Sequence, residues 1–269
     1  MNIKIDALNY YGATKKKYHL HFPALREDIE ADVVIIGGGF SGINTALELA
    51  EQGITNVVVL EARHLGYGGT GRNGGQVMAG IGHDIEAVKK HVGKEGLETL
   101  FKIANLGAGI IRERIRKYNI DADFVPGYGY LAYNQRQLKT LRRWEKEFEA
   151  TADEEIELYT GKEVQQVVGS EVYCGALKHM GGGQIHSLNM LLGSAQAAPL
   201  AGGQDFRILA GGGGELRQTG AGTHRDGQRQ SRQTAVGLRQ FPQQYGAGDL
   251  QQRWSLTPTR CRPSRSPMN

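Results

Sequence analysis

Ala31-Asp-Val-Val-Ile-Ile36 is a short apolar run interrupted by one acid, the pattern of a strand covered on both faces. Gly37-Gly-Gly-Phe-Ser-Gly42 follows at once. Ile43, Ala46, Leu47, Leu49 and Ala50 then recur at helical spacing up to Gly53, a C-terminal stop. Asn56-Val-Val-Val-Leu60 has the pattern of a second buried strand and ends at Glu61. Together they make one β-α-β unit of about thirty residues, whose right-handed crossover sets the strands parallel and adjacent.

A Gly-rich loop spans 66–75, and a mostly helical region is predicted from about Asp84 to Tyr118 on the spacing of Leu97, Leu100, Phe101, Ile103, Ala104, Ile110, Ile111 and Ile115. Phe124 to Tyr133 has the pattern of two short strands around Pro126-Gly127. Gln135 to Ala150 is a charged amphipathic helix, Glu155–Tyr159 a strand and Gly161–Val168 a short helix. Tyr173–Leu177 and Gln184–His186 are extended, and Leu188–Ala198 is the last coherent element. The alternation predicts an α/β fold, a Rossmann-like β-α-β domain with an inserted, incomplete mixed α+β substrate region. The expected divisions are an N-terminal extension at 1–30, a dinucleotide-binding part at 31–82, a helical and mixed region at 83–185, a returning helix at 186–201 and a disordered tail at 202–269.

Charge changes the picture of that tail. Residues 1–178 hold 13 Lys, 9 Arg and 24 acids, net −2, whereas 179–269 hold no Lys, 10 Arg and 4 acids, net +6. From Leu191 onward there is one Ile (Ile208), one Val (Val236), eleven Gln and five of the seven Pro. Such a segment buries too little apolar area to offset chain entropy. An RNA-binding tail is disfavoured, because there is no RGG repeat and the aromatics are few (Phe206, Phe241, Tyr245, Trp254). A plain flexible tail and a slip of reading frame around 199–204 remain. The joint loss of Lys, Ile and Val, which have AT-rich or restricted codons, favours the slip and predicts a tail without evolved function. No window approaches the ~18 consecutive apolar residues of a membrane span, and no apolar h-region follows a basic start, so neither a membrane span nor a secretory signal is expected. Cys174 and Cys261 form neither a CxxC nor a zinc spacing, which points to a reducing compartment, the cytoplasm, and to no metal.

The strongest chemistry is Gly37-x-Gly39-x-x-Gly42, placed directly after a buried strand and opening a helix. Gly37 allows the tight turn, Gly39 lets the backbone approach a pyrophosphate, and Gly42 lets helix pack on strand; the helix N-terminus offers its N–H groups to the phosphates. Glu61 follows Gly42 by 19 residues, where a carboxylate accepts from ribose hydroxyls and disfavours a 2′-phosphate. This fingerprint leaves NAD and FAD both open.

Leu65-Gly-Tyr-Gly-Gly-Thr-Gly-Arg-Asn-Gly-Gly-Gln76 resembles the G-x-G-A-S-G-R-N-G-G-Q stretch of the D-amino-acid-oxidase-like (DAO) family of FAD-dependent oxidoreductases, within it most closely the bacterial gamma-glutamylputrescine oxidase group. Further matches are Tyr10-Tyr11, Ile110-Ile-Arg-Glu-Arg114 with Tyr118 and Ile120-Asp121, and Gly181-Gly-Gly-Gln-Ile-His-Ser-Leu-Asn189. Gly69-Thr70 replaces the family's Ala-Ser and keeps the hydroxyl. The resemblance runs roughly over 8–198 and stops, in keeping with a slipped frame. It implies FAD bound in extended form. Gly37, Gly39, Phe40 and Ser41 would lie on the pyrophosphate, with Gly38 and Gly42 in the same turn. Glu61 and Arg63, with Ala62 between them, would surround the adenosine. Thr70, Gly71, Asn73, Gly74, Gly75 and Gln76 would lie near pyrophosphate, ribityl chain and flavin, with Arg72 a phosphate or structural partner.

The reaction implied is oxidation of a C–N bond in a small-molecule amine or amino acid, polyamine derivatives included. Hydride passes to the flavin, the imine hydrolyses, and oxygen as acceptor yields hydrogen peroxide. No catalytic residue is assigned, and neither nucleic acid nor a membrane is an expected partner. The later strands of such proteins are missing from 202–269, so the chain as written is expected to bind FAD weakly and turn over no amine. An NAD-dependent dehydrogenase and a non-functional truncated remnant are the competing expectations.

Weaker features have plainer expectations. His186 is expected in a local structural role before a helix capped by Ser187, or less readily near the flavin. His19 and His21 are expected as a surface pair, Lys15-Lys-Lys17 as a solvated cluster, Arg112, Arg114 and Arg116 as a solvated helix face, and Cys174 as an inert core thiol. Tyr128 and Tyr130 fit a substrate cavity and strand packing equally well.

Overall fold

A computed structural model describes residues 9–18, 20, 23–25, 29–78, 85–149, 156–201, 207–210, 214–219, 235–240 and 254–256. In chain order its elements are α1 (Tyr10–Thr14), β1 (Ile29–Ala31), β2 (Val33–Ile36), α2 (Phe40–Glu51), β3 (Val57–Glu61), β4 (Gln76–Val77), α3 (Ile85–Lys117), β5 (Val125–Ala132), α4 (Gln135–Glu149), β6 (Ile156–Thr160), α5 (Val164–Val168), β7 (Gly175–Gln184), α6 (Ser187–Leu200), β8 (Arg207–Ala210), β9 (Gly214–Thr219), β10 (Ala235–Gln240) and β11 (Trp254–Leu256). The chain divides into two compact units, one of Lys17–Thr70 with Ser194–Asn269, the other of Met1–Lys16 with Gly71–Gly193.

The first unit contains the β-α-β motif. β2 and β3 run parallel, Val33 opposite Val57 through Ile36 opposite Leu60, and β8 adds in parallel on the far side of β3, giving the order β2-β3-β8. Val57, Val58, Val59 and Leu60 are buried. β2 is only half-buried and Ile36 is exposed, against the expectation of a strand covered on both faces; among the described residues β2 is paired on one side only, where β3 is paired on each. α2 buries Gly42, Ile43, Ala46, Leu47 and Ala50, one helical stripe. Burial of Ile43 and Leu47, both fully covered, contributes about 1.5–3 kcal/mol each. A second sheet in this unit has the order β1-β10-β9-β11, antiparallel except between β9 and β11. Composition predicts no strand beyond residue 202; the structure describes β8 to β11 there.

In the second unit β7 is the centre of an antiparallel sheet, with β5 along one side and β4 and β6 along the other. The sequence pattern predicts two extended pieces where β7 is one ten-residue strand, because partners on both sides pair it at Gly175–His179 and again at Gly183-Gln184, which local propensity does not foretell. β5 is likewise one strand, with an irregularity between Pro126 and Tyr128 in place of the expected break. Phe101, Ala132, Leu138, Leu141, Phe148 and Leu177 form the core, with Tyr130, Trp144 and Cys174 packed on it. Tyr128 stacks on buried His179 with ring centroids 5.1 Å apart, and Tyr130 meets Trp144 edge-on at 5.0 Å, so both tyrosines serve packing. Arg112 and Arg114 of α3 depart from the expected solvated face, whereas Arg116 is exposed. Arg114 is buried, and Arg112 Nη1 donates to the Gly181 carbonyl at 2.8 Å.

Candidate functional site

β2 leads into Gly37, whose φ of +101° belongs to glycine, and the Gly37 N–H donates to the Leu60 carbonyl at 2.8 Å. α2 begins at once, so close that a Cβ on Gly42 would overlap the Gly37 carbonyl. Gly39 is the N-cap residue and offers no side chain to the helix. The Phe40 N–H is instead taken by Thr70 Oγ1 at 3.1 Å. A Cβ on Gly37 would meet nothing within 4 Å, so the turn faces open space at the positive end of a helix. That end carries the equivalent of about half an elementary charge. An anionic oxygen fits such a cradle.

Glu61, at the end of β3, grips this turn with both oxygens: Oε2 accepts the Gly38 N–H and Oε1 the Arg63 N–H, each at 2.8 Å. A carboxylate has room for further donors, so two backbone bonds leave capacity for a ribose hydroxyl. Arg63 lies along the same loop, its Nη1 donating to the Tyr67 hydroxyl at 2.7 Å and its guanidinium 4.2 Å from the centre of that ring. Ala62, Arg63 and Ser41 are exposed. The clamp by Glu61, the capping by Thr70 and the part played by Tyr67 went unread in the sequence; a carboxylate directly before a Gly-rich loop was the available signal for the first.

Gly71–Gln76 belongs to the other unit. The Gly71 carbonyl accepts from Asn9 Nδ2 at 2.6 Å. Asn73 Oδ1 accepts twice, from the Gly75 N–H at 2.7 Å and from the Ser187 hydroxyl at 2.6 Å. The Gly75 carbonyl accepts the Ile185 N–H at 2.8 Å, and Gln76 and Val77 pair with Gln184 and Gly183. Arg72, Asn73 and Gly74 are exposed between these fixed ends. The segment is thus a short bridge anchored at both sides.

His186 sits among these anchors. It, and not Ser187, caps α6: its carbonyl accepts the Met190 N–H at 3.0 Å and its Nδ1 accepts the Asn189 N–H at 3.1 Å. With Nδ1 an acceptor, the proton belongs on Nε2, which donates to Thr14 Oγ1 at 3.0 Å, while the Thr14 hydroxyl donates to the Tyr10 carbonyl at 2.7 Å. Burial holds the imidazole below its ordinary value of 6.5. Lys15, Lys16 and Lys17 are exposed, in keeping with a solvated cluster, yet Lys16 is also tethered. Its N–H donates to Asn189 Oδ1 at 2.9 Å, and its ammonium lies 3.0 Å from Asp123 and 3.5 Å from Asp121. The hydrogen bond to Asp123 and the charge of Asp121 raise its pKa. His19 and His21 lie outside the described residues.

Among the described residues no helix is long and apolar enough to cross a membrane. Residues 32–207 match the family described as DAO, FAD dependent oxidoreductase. The chain is 40% identical over 202 residues to the gamma-glutamylputrescine oxidoreductase of Escherichia coli (strain K12), covering 75% of this chain and 47% of that protein. It spans about half the length of the curated relatives it matches. Among solved structures, the L-amino acid deaminase from Proteus myxofaciens superposes with a TM-score of 0.57 at 21% identity, over 78% of this chain and 44% of that one. The L-proline dehydrogenase from P. horikoshii gives 0.54 at 21% identity, over 76% and 48%. These two likenesses speak for the fold.

Proposed function

The chain belongs to the DAO family of FAD-dependent oxidoreductases, and from that footing we propose that it is part of an enzyme that oxidises the C–N bond of a small amine or amino acid. The observation that carries the proposal is the Gly37–Gly42 turn against the start of α2, clamped by Glu61 and followed by Gly71-Arg-Asn-Gly-Gly-Gln76. FAD, when bound, supplies the two-electron oxidation, with oxygen as final acceptor and hydrogen peroxide as product. Gly37–Gly42 would receive its pyrophosphate at the start of α2: Gly39, Ser41 and Gly42 lie at the helix end, while Gly37, Gly38 and Phe40, whose N–H groups are engaged by Leu60, Glu61 and Thr70, shape the turn. Glu61 accepts from the adenosine ribose, with Ala62 and Arg63 beside it. Thr70, Gly71, Arg72, Asn73, Gly74, Gly75 and Gln76 line the ribityl and flavin portion. The likeness to gamma-glutamylputrescine oxidoreductase supports a polyamine-derived substrate and a place in polyamine catabolism, and the spacing of Cys174 and Cys261 supports the cytoplasm as compartment.

The tail qualifies this activity. The family match stops at residue 207, inside the stretch where Lys is gone and Ile and Val fall to one each. We propose that 202–269 is translated out of register with the family, so that this chain binds FAD weakly and turns over no amine. The test is an FAD titration of the purified chain by visible absorbance, with a peroxide assay on gamma-glutamyl amines and simple amino acids. Weak flavin binding without peroxide is expected. Tight, stoichiometric FAD with peroxide from any amine overturns the inactivity, and a colourless chain that binds NAD overturns the flavin assignment.

A further inference from the structure

Asn9–Lys16 makes more directed contacts with the Gly71–Gln76 segment and its supports than a mere leader requires. Asn9 does two things: its Oδ1 accepts the Tyr11 N–H at 3.2 Å and caps α1, while its Nδ2 donates to the Gly71 carbonyl. Tyr11 is buried, its ring edge-on to His186 with centroids 4.8 Å apart. Its hydroxyl stands where a Cβ on Gly75 would lie 2.8 Å away. At the other end Thr14 is bonded to His186, and the Lys16 N–H to Asn189, both at the start of α6. That same helix start holds Asn73 through the Ser187 hydroxyl. α1 therefore touches the bridge directly at Gly71 and Gly75 and braces its support on α6. α1 is too short to persist alone in water, so its helical form depends on these contacts.

We propose that Asn9–Lys16 is a strap that fixes the Gly71–Gln76 segment in its cofactor-receiving conformation, with Asn9 as the positioning residue that anchors it. The functional part of this rests on the reading of that segment as cofactor-facing. Arg72 provides a reporter, since it is exposed within the segment and is a trypsin site. The experiment compares the rate of cleavage after Arg72, followed by mass spectrometry, in the full chain and in Asn9→Ala, Asn9→Asp and Thr14→Val, with and without FAD.

Loss of one charge-free hydrogen bond to the segment is expected to speed cleavage about fivefold to tenfold without FAD. Asn9→Asp keeps an acceptor for the Tyr11 N–H but loses the donor to Gly71, so it is expected to be as fast as Asn9→Ala. Thr14→Val, which keeps Asn9 and loosens the far end, gives a smaller increase and guards against a failure of one variant to fold. A slow Asn9→Asp beside a fast Asn9→Ala reduces Asn9 to a helix cap and overturns the strap. Wild-type rates in all three variants overturn it too. FAD at a concentration that saturates the chain in the absorbance titration is expected to protect Arg72 in the parent chain; accelerated variants without that protection uphold the strap and refute the cofactor reading.

Discussion

Glu61 shows how one carboxylate serves structure before any ligand arrives. Glu61→Ala strips two backbone N–H groups of their acceptor, of which that of buried Gly38 has little access to water. The expected cost is about 2 kcal/mol, read as a lower urea midpoint, with Glu61→Gln losing roughly half as much because its amide keeps one acceptor oxygen. His186 carries a pH dependence. Its folded pKa lies below 6.5 chiefly because burial disfavours the charged ring, with Asp123 opposing that shift and Lys16 reinforcing it. The neutral ring therefore favours the native state. Its contribution is complete above pH 6.5 and is lost as the pH falls through the lower folded value. Amide protection of Tyr10–Thr14 is expected to decline as the pH falls below about 6.5, and a His186→Asn variant, which keeps a capping oxygen, to show a flatter profile.

Among the elements, α2 depends on a residue thirty positions away in sequence, since Thr70 supplies the acceptor that Gly39 lacks. Thr70→Val is expected to cost about 1 kcal/mol, and Thr70→Ser close to nothing. Hydrogen exchange at the Phe40 amide separates this loss from a general loosening. The β-α-β unit was legible because each local signal agreed: apolar runs for the strands, a helical stripe for α2 and glycines where the backbone turns sharply. β7 was not legible as one strand, because three consecutive glycines carry no side-chain pattern and the pairing that defines the strand lies at Gly175–His179 and Gly183-Gln184. Arg112 and Arg114 were misread for a related reason. Charge predicts exposure, yet a guanidinium that meets strand carbonyls can be drawn inward with its stem. α1 escaped notice because five residues show no periodicity. Asn9 before Tyr10 was the one cue, and capping asparagines are too common to decide alone.

For the whole molecule, the decisive experiment is a fresh read of the coding DNA across codons 190–210, followed in all three frames beyond codon 269. One inserted or lost base with an open shifted frame is the expected result, and the restored chain is expected to hold FAD and release peroxide from an amine. An unaltered reading frame refutes the slip. The order of the sheet gives this a consequence during synthesis. β8 pairs with β3 through Arg207 and Val58, whereas the whole of Gly71–Gly193 is synthesised before β8. Domains generally fold as units, the earlier part first, so the intervening unit has its full sequence before β8 to β11 of its neighbour are made. A translational slip near residue 200 thus falls after one unit is finished and before the other is closed, and proteolysis of the nascent product should spare the first and consume the second.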